Sequence, residues 1–262
     1  MHPYLNIAIK AARAAGRIIV DATLHPSLID VKKKSESLLD VVTNIDKASE
    51  EAIINNILRA YPKHNIKAEE SGEQFNNSEI TWVIDPLDGT LNFVHGFPFF
   101  AISIAVINID TIEHAVVYNP LSDELFIASK GSGAQLNNKK IRCSANHKWS
   151  EALLAVNTNL LCTLYGNSDS NKKSLTKDKE AGRIINRDMG SAALQLAFVA
   201  SGRLDGYCDH HLKPWDIAAG ALLVREAGGY ITDFNGKSEF LISGNVVSGN
   251  TKIHNKLLEL VN

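Results

Sequence analysis

Over residues 4–21 the apolar positions Leu5, Ala8, Ile9, Ala12, Ala15 and Ile19 recur at intervals of three and four, which predicts an amphipathic first helix. Residues 31–42 break that period. Lys32, Lys33, Lys34, Ser35 and Glu36 precede the β-prone run Leu38–Val42, as in an exposed turn between short strands. Thr43 has the chemistry of an N-cap, with Asp46 in the first turn of a helix that runs to about Arg59 and is stopped by Tyr61-Pro62. Short apolar runs follow at 66–68, whose end carries Glu69 and Glu70, and at 80–84. Further strands are predicted near 100–108, 113–118 and 124–129; the Asn/Asp, Asn-Pro and Ser-Asp breaks between them read as antiparallel connections.

The second half alternates short strands (152–157, 184–187, 204–208, 229–232, 245–248) with helices (about 191–201, 214–227, 251–261), an α/β layering. Residues 166–180, rich in Asn, Ser, Asp and Lys, read as a loop. No Pro/Gly/Ser linker and no internal repeat divides the chain. Residues 1–262 are therefore expected to form a single domain of two intimately packed halves, about 1–150 and 151–262.

Composition narrows the class. Apolar residues make up 45% of the chain, enough for a large core. A net charge of −2 provides no basic field for nucleic acid. No apolar run approaches the roughly 18–20 residues of a membrane helix. The opening Met-His-Pro-Tyr-Leu-Asn lacks the basic and apolar regions of a secretory signal. Cys143, Cys162 and Cys208 are odd in number and widely spaced, as free thiols in a reducing compartment would be. The expectation is a cytoplasmic globular protein.

The chemistry concentrates in Trp82-Val-Ile-Asp-Pro-Leu-Asp-Gly-Thr-Leu-Asn-Phe93. An apolar strand ends in Asp85-Pro86-Leu87, and Asp88, Gly89 and Thr90 follow in a tight turn. A structural turn needs one Asp or Asn, so two aspartates three apart beside a hydroxyl point past turn chemistry. Hard oxygen donors on a turn suit Mg²⁺. Hydrolysis of a phosphate ester needs charge neutralisation, an activated water and a stabilised leaving oxygen, which two metal ions about 3.5–4 Å apart can supply. Asp46, Glu69, Asp85, Asp88 and Asp216 all fall near element ends and are candidates to hold them. Taken alone, Asp46 and Asp216 read first as helix caps, and Glu69-Glu70 can be read as a solvated pair.

A second segment, Lys213-Pro-Trp-Asp-Ile-Ala-Ala-Gly220 and onward to Gly228-Gly229, opens a helix with Pro214 and closes it with glycine. Asp216 lies in its first turn, and Ala218, Ala219, Gly220 and Ala221 permit close packing. Gly190-Ser191-Ala192 opens the preceding helix, either as a phosphate cradle or as a tight packing contact.

The segments Asp85-Pro-Leu-Asp-Gly-Thr90 and Trp215-Asp-Ile-Ala-Ala-Gly220 resemble the two signature motifs of the inositol monophosphatase family. The amino-terminal His-Pro-Tyr-Leu-Asn-Ile-Ala, Val-Thr-Asn-Ile-Asp-Lys-Ala and Glu-Glu-Ser-Gly resemble its bacterial SuhB-type branch, and the likeness runs from about residue 2 to the end. The resemblance implies a layered αβαβα sandwich of the inositol monophosphatase/fructose-1,6-bisphosphatase type and a Mg²⁺-dependent, lithium-sensitive phosphatase. It implies that Glu69, Asp85, the Leu87 carbonyl, Asp88 and Asp216 bind Mg²⁺, and that Thr90 and Asp46 orient the attacking water. Gly89 and Thr90 would bind phosphate; Arg187, Gly190, Ser191 and Ala192 would line the substrate side, with Asp216 touching sugar hydroxyls. Lys34 would lie in a loop contributing to a third metal site. Expected partners are a small-molecule phosphate monoester, a second copy in a homodimer, and, as for bacterial relatives in ribosomal RNA antitermination, a protein of the transcription machinery.

Two positions depart from the family. Leu91 replaces a frequent second threonine, which is not the catalytic hydroxyl. Asp209 falls where many members have a glutamate contacting the inositol ring, so its contact is one methylene shorter. A same-fold phosphatase for fructose bisphosphate or 3′-phosphorylated nucleotides is the competing reading. Asn235-Gly-Lys-Ser238 lacks the upstream glycine of a phosphate loop and reads as a turn, and Gly131-Ser-Gly133 lacks a third glycine. There is no Gly-x-Ser-x-Gly elbow. His210 and His211, adjacent on an extended stretch, are expected to point opposite ways.

Overall fold

The computed structural model describes residues 2–33, 41–166 and 185–262; Lys34 and most of the 166–180 stretch lie outside the described residues. Helix α1 (Pro3–Leu24) buries the predicted stripe of Leu5, Ala8, Ala12, Ala15 and Ile19. Strands β1 (Val31–Lys33) and β2 (Val41–Thr43) pair antiparallel. Helix α2 (Asn44–Ala60) begins at Thr43, which forms a reciprocal capping box with Asp46.

Next come β3 (Asn65–Ala68), β4 (Gly72–Gln74), β5 (Ile80–Asp88), α3 (Thr90–Val94), β6 (Ala101–Asn108), β7 (Thr111–Asn119), β8 (Glu124–Ser129), β9 (Gly133–Leu136) and β10 (Lys139–Lys140). Their sheet runs β10-β9-β8-β7-β6-β5-β3-β4 and is antiparallel except where β3 lies beside β5. The second half contains β11 (Leu153–Val156), α4 (Thr158–Gly166), β12 (Ile185–Asn186), α5 (Ala192–Ala200), β13 (Gly206–Asp209), α6 (Pro214–Glu226), β14 (Tyr230–Thr232), α7 (Phe240–Ser243), β15 (Val246–Gly249) and α8 (Thr251–Val261). Its sheet runs β12-β11-β13-β15-β14, with β11 parallel to both neighbours and β15 antiparallel to both of its own.

Three cores separate five layers. α1 and α2 pack on one face of the large sheet through Ile19, Ile53, Ile57, Trp82 and Ile104. Its other face, with Val83, Ala105 and Phe126, packs on α5 and α6 and through them on the second sheet. α8 covers the far face of that sheet with Ile253 and Leu257. The result is the expected αβαβα sandwich. The small-residue stripe on α6 explains its central place: a Cβ built on Gly220 would stand 2.5 Å from Leu196 of α5.

The pattern did not reveal α3, α4, α7, β4, β9 and β10. All but α4 are too short for a hydrophobic period to complete itself, and α4 runs into the polar 166–180 stretch that reads as a loop. The more important difference is in β5, which does not end at Ile84 but continues through Pro86 to Asp88. Asp85 pairs with Ser103 and Asp88 with Ala101, so two residues on β5 face one on β6. Pro86, having no N–H to offer a ladder, sits in this bulge. In a regular strand positions three apart face opposite ways; the extra residue brings Asp85 and Asp88 to the same side. Asn235–Ser238 is a turn, its Asn235 and Lys237 amides bonded to Asp233. Gly131 lies in the β8–β9 connection and Gly133 opens β9, and the amides of both donate to Glu226.

Candidate active site

Six side chains from five elements meet at the C-terminal end of β5. Glu69 follows β3, its amide bonded to the Ile84 carbonyl of β5 at 3.2 Å. Asp85 and Asp88 come from the bulge, Thr90 opens α3, Asp46 lies in the first turn of α2 and Asp216 in that of α6. Gly89 makes the turn between Asp88 and Thr90. Its φ of 95° is left-handed, and an added Cβ would stand 3.1 Å from the Phe99 carbonyl oxygen and 3.3 Å from that of Gly190.

The cap and ligand readings of Asp46 and Asp216 are not alternatives. Asp46 Oδ2 accepts the Thr43 amide at 2.8 Å, while Oδ1 accepts the Thr90 hydroxyl at 2.7 Å. One carboxylate therefore caps a helix and orients a hydroxyl. Asp216 Oδ2 accepts the Lys213 amide at 2.7 Å. Ser103, the partner of Asp85 across the sheet, donates to the Trp215 carbonyl at 2.9 Å and so fixes where Asp216 enters.

The helix start at Gly190–Ala192 is neither an open phosphate cradle nor a plain packing contact. Asp88 Oδ2 accepts the Ser191 hydroxyl at 2.6 Å and the Ala193 amide at 2.7 Å, with a further bond from the Ala192 amide. The N–H groups that the sequence left free are occupied by an aspartate from the other half of the chain, the charge a helix N-terminus favours. Gly190 is held against α3 by Asn92, whose Nδ2 donates to the Met189 carbonyl at 2.7 Å.

Electrostatics bind the acids into one system. Burial pushes Asp85 well above the usual carboxylate range, and Glu69, Asp88 and Asp216 push it further. Burial raises Asp88 to about 6 against the lowering bonds from Ser191 and Ala193. Burial and then the Asp88 charge raise Asp216 to about 8. Burial also raises Asp46, opposed by its bonds from Thr43 and Thr90. Asp85 hydrogen-bonds to both Glu69 and Asp216, so these groups face one another, and among the described residues no three acidic, histidine or cysteine side chains are already arranged to hold a metal ion. The donor set nonetheless fits a hard divalent cation: it is all oxygen, buried at Asp85 and half-buried at Glu69, Asp88 and Asp216, and mutually repelling. Among the described residues no lysine or arginine forms an ion pair with Asp85, Asp88 or Asp216.

Other expected residues lie apart. Arg187 is exposed at the end of β12, where its Nη1 donates to the adjacent Asn186 carbonyl at 2.8 Å; among the described residues no bond joins it to the acids. Asp209 is buried at the end of β13, its Oδ1 taking the His210 amide at 2.7 Å and its Oδ2 the Tyr207 hydroxyl at 2.9 Å. Burial raises it to about 6 against those bonds. The two histidines do not point opposite ways. His211 has a φ of 60°, which breaks the extended geometry, and the two rings lie 4.3 Å apart.

Several positioning residues escaped the sequence reading. Ser49 donates to the Pro86 carbonyl at 2.8 Å, and Glu50 accepts the amides of Glu70 and Ser71. The available signal was their helical spacing from Asp46, which puts all three on one face of α2. Ser103, Asn92 and Tyr207 carried no local signal, because their partners lie far along the chain or in the shape of the strand end.

Comparison with known proteins agrees with this geometry. The chain is 44% identical to Nus factor SuhB of Escherichia coli K12 over 98% of this chain and 95% of that protein. The crystal structure of the extragenic suppressor protein suhB from Bartonella henselae superimposes with a TM-score of 0.90 at 35% identity, over 100% of this chain and 99% of that one. The inositol monophosphate-bound structure of SaIMPase-II matches with a TM-score of 0.78 at 27% identity, over 97% and 92%. Residues 1–262 match the inositol monophosphatase family throughout, and the chain belongs to it.

Proposed function

We propose that the protein is a Mg²⁺-dependent phosphomonoesterase that hydrolyses myo-inositol 1-phosphate, together with related polyol or sugar phosphates, to the alcohol and inorganic phosphate. The observation that carries this reading is the set of buried Asp85 with half-buried Asp88 and Asp216 beside a Thr90 hydroxyl bonded to Asp46 at 2.7 Å. Glu69, Asp85, the Leu87 carbonyl, Asp88 and Asp216 would hold Mg²⁺, which when bound supplies the positive charge that a dianionic ester and its leaving oxygen require. Thr90 gives its proton to Asp46 Oδ1, leaving the Thr90 oxygen as an acceptor for a water proton. As that proton arrives at Thr90 Oγ1, the Thr90 proton passes to Asp46, whose burial favours the protonated form. Gly89 lets the backbone approach the phosphate, Ser191 and Ala192 act with Ala193 by holding Asp88, and Gly190 packs against Asn92. Asp209 and its partners contribute to the ring-facing side.

The inositol monophosphate in SaIMPase-II supports this substrate class. Purified protein should release phosphate from inositol 1-phosphate with Mg²⁺, stop with EDTA and be inhibited by lithium. Equal turnover by Asp85→Asn would sink the assignment. A panel with fructose bisphosphate and 3′-phosphorylated nucleotides, compared by kcat/KM, separates the same-fold substrates. The reading includes a single domain working as a homodimer, tested by light scattering. It also includes a cytoplasmic setting, which the free Cys143, Cys162 and Cys208 suit.

The name Nus factor carried by the Escherichia coli relative favours a second role, binding to the transcription machinery independently of catalysis. In that case Asp85→Asn should restore a deletion strain as well as wild type does; a requirement for catalysis predicts that it fails.

A further inference from the structure

We propose that Glu50 is a positioning residue for Glu69 and thereby sets the affinity of the site for a divalent cation; this rests on the phosphatase reading above. Glu50 lies in the middle of α2 and is only 3% exposed. Its Oε2 accepts the Glu70 amide and its Oε1 the Ser71 amide, both at 2.8 Å. β3 ends at Ala68 and β4 begins at Gly72, so residues 69–71 form the whole connection. The two amides that follow Glu69 are thus gripped by one carboxylate, in charge-assisted bonds stronger than neutral ones.

A cleft of about 400 Å³ opens beside these bonds, bordered by Lys47, Glu50, Glu51, Ile54 and Asn55 of α2 and by Glu70 and Ser71. The bonds from Glu50 therefore tie the turn to α2 across a junction that is not filled by packing. The same face of α2 holds the other half of the site: Asp46 bonds to Thr90, and Ser49 to the Pro86 carbonyl. With Asp46, Ser49 and Glu50 at spacings of three and four, α2 acts as a rigid bar that fixes the Glu69 turn relative to the Asp85–Thr90 turn.

Both oxygens of Glu50 must accept. A glutamine of the same shape offers one acceptor and turns its amino group against a backbone N–H. Glu50→Gln should therefore raise the Mg²⁺ concentration for half-maximal activity by about 10-fold or more, the scale seen when a ligand loses its outer partner. At saturating Mg²⁺ its kcat should stay within about 3-fold of wild type, because no reacting group is removed. Without substrate, the rise in Tm on adding Mg²⁺ should shift to the same higher concentrations. Glu51→Gln, the same charge change on the exposed face, should titrate as wild type.

Hydrogen exchange of the metal-free wild type gives an independent test: the Glu70 and Ser71 amides should be protected. Exchange at the rate of an open turn overturns the proposal even if Glu50→Gln does not fold. A Glu50→Gln protein that binds Mg²⁺ as wild type does also overturns it, as does one whose kcat loss persists at saturating Mg²⁺ with unchanged affinity. A wild type that neither binds Mg²⁺ nor releases phosphate sinks the phosphatase reading and this inference with it. A wild type that does both, beside a normally titrating Glu50→Gln, sinks this inference alone.

Discussion

The carboxylate centre and the 207–213 segment are both built of buried or half-buried polar side chains, yet they are held in different ways. In the centre the helix caps of Asp46 and Asp216 are local, but the bonds that join its elements are long in sequence: Asp46 to Thr90, Asp88 to Ser191 and Ala193, Ser103 to Trp215. In the 207–213 segment Asp209 is held by two near neighbours and by the Asn157 side chain, all within the second half of the chain. Asp209 takes the hydroxyl of Tyr207, two residues back on the same strand face, and the amide of the next residue, His210. The centre exists only when both halves of the chain are folded together, whereas the partners of Asp209 all belong to the second half. On the proposed function, this would separate how a phosphate is cut from which phosphate is chosen.

The strongest test of that contrast is Asp85→Asn. It should lower kcat/KM by about 10³-fold, the scale of losing a principal electrostatic group, and abolish the Mg²⁺-induced rise in Tm. Removing one of several repelling acids should leave the metal-free Tm unchanged or higher. A large drop in metal-free Tm would instead make Asp85 a structural residue. Thr90→Val is next. Loss of the hydroxyl that relays to Asp46 should cost about 10²-fold in kcat, with KM nearly unchanged. A change confined to KM would remove Thr90 from the proton path and give it a binding role alone.

The centre should also be visible in its pH dependence. Folding raises Asp216 to about 8 and Asp88 to about 6, both above the usual aspartate value. Between the ordinary carboxylate range and pH 8 the folded metal-free protein therefore binds more protons than the unfolded chain, so its stability falls as pH rises. The metal-free Tm should drop from pH 6 to pH 8, by about 2–4 °C for each kcal/mol lost. Saturating Mg²⁺ should raise Tm more at pH 8 than at pH 6, because fewer protons then compete for the acids. A metal-free Tm that rises over this interval would show that the acids do not repel one another as their burial requires.

What could be read from the sequence divides along the same line. The Thr43 cap, the Asp85–Thr90 turn and the Pro214-led helix of Asp216 were legible because capping, turn and helix-start chemistry are local. The sequence could not show that Asp88 would fill the N-terminus of α5, since that partner lies more than a hundred residues away. Nor could it show that β5 would run on through a bulge. Pro86 reads as a strand terminator, and only pairing with Ser103 and Ala101 keeps Asp85 and Asp88 in the sheet. Glu50 was hidden differently, as a polar helix residue with no sign that its partner was a backbone turn. The histidine pair misled because one left-handed residue reverses the alternation of a strand.

The smallest expected effect falls on the selecting segment. In Asp209→Asn one oxygen can still accept from Tyr207, but an amino group then faces the His210 amide or the Tyr207 hydroxyl is displaced. One hydrogen bond of this kind is worth about 1 kcal/mol, close to a tenfold change. The ratio of kcat/KM for inositol 1-phosphate to that for a linear polyol phosphate should therefore shift by up to about tenfold, with the Mg²⁺ requirement unmoved. If activity on every substrate instead falls as far as in Thr90→Val, Asp209 is part of the cutting centre and the division proposed between the two regions is wrong. If no ratio moves, selection lies elsewhere on the substrate side, and the bonding of Asp209 serves only to close the end of β13.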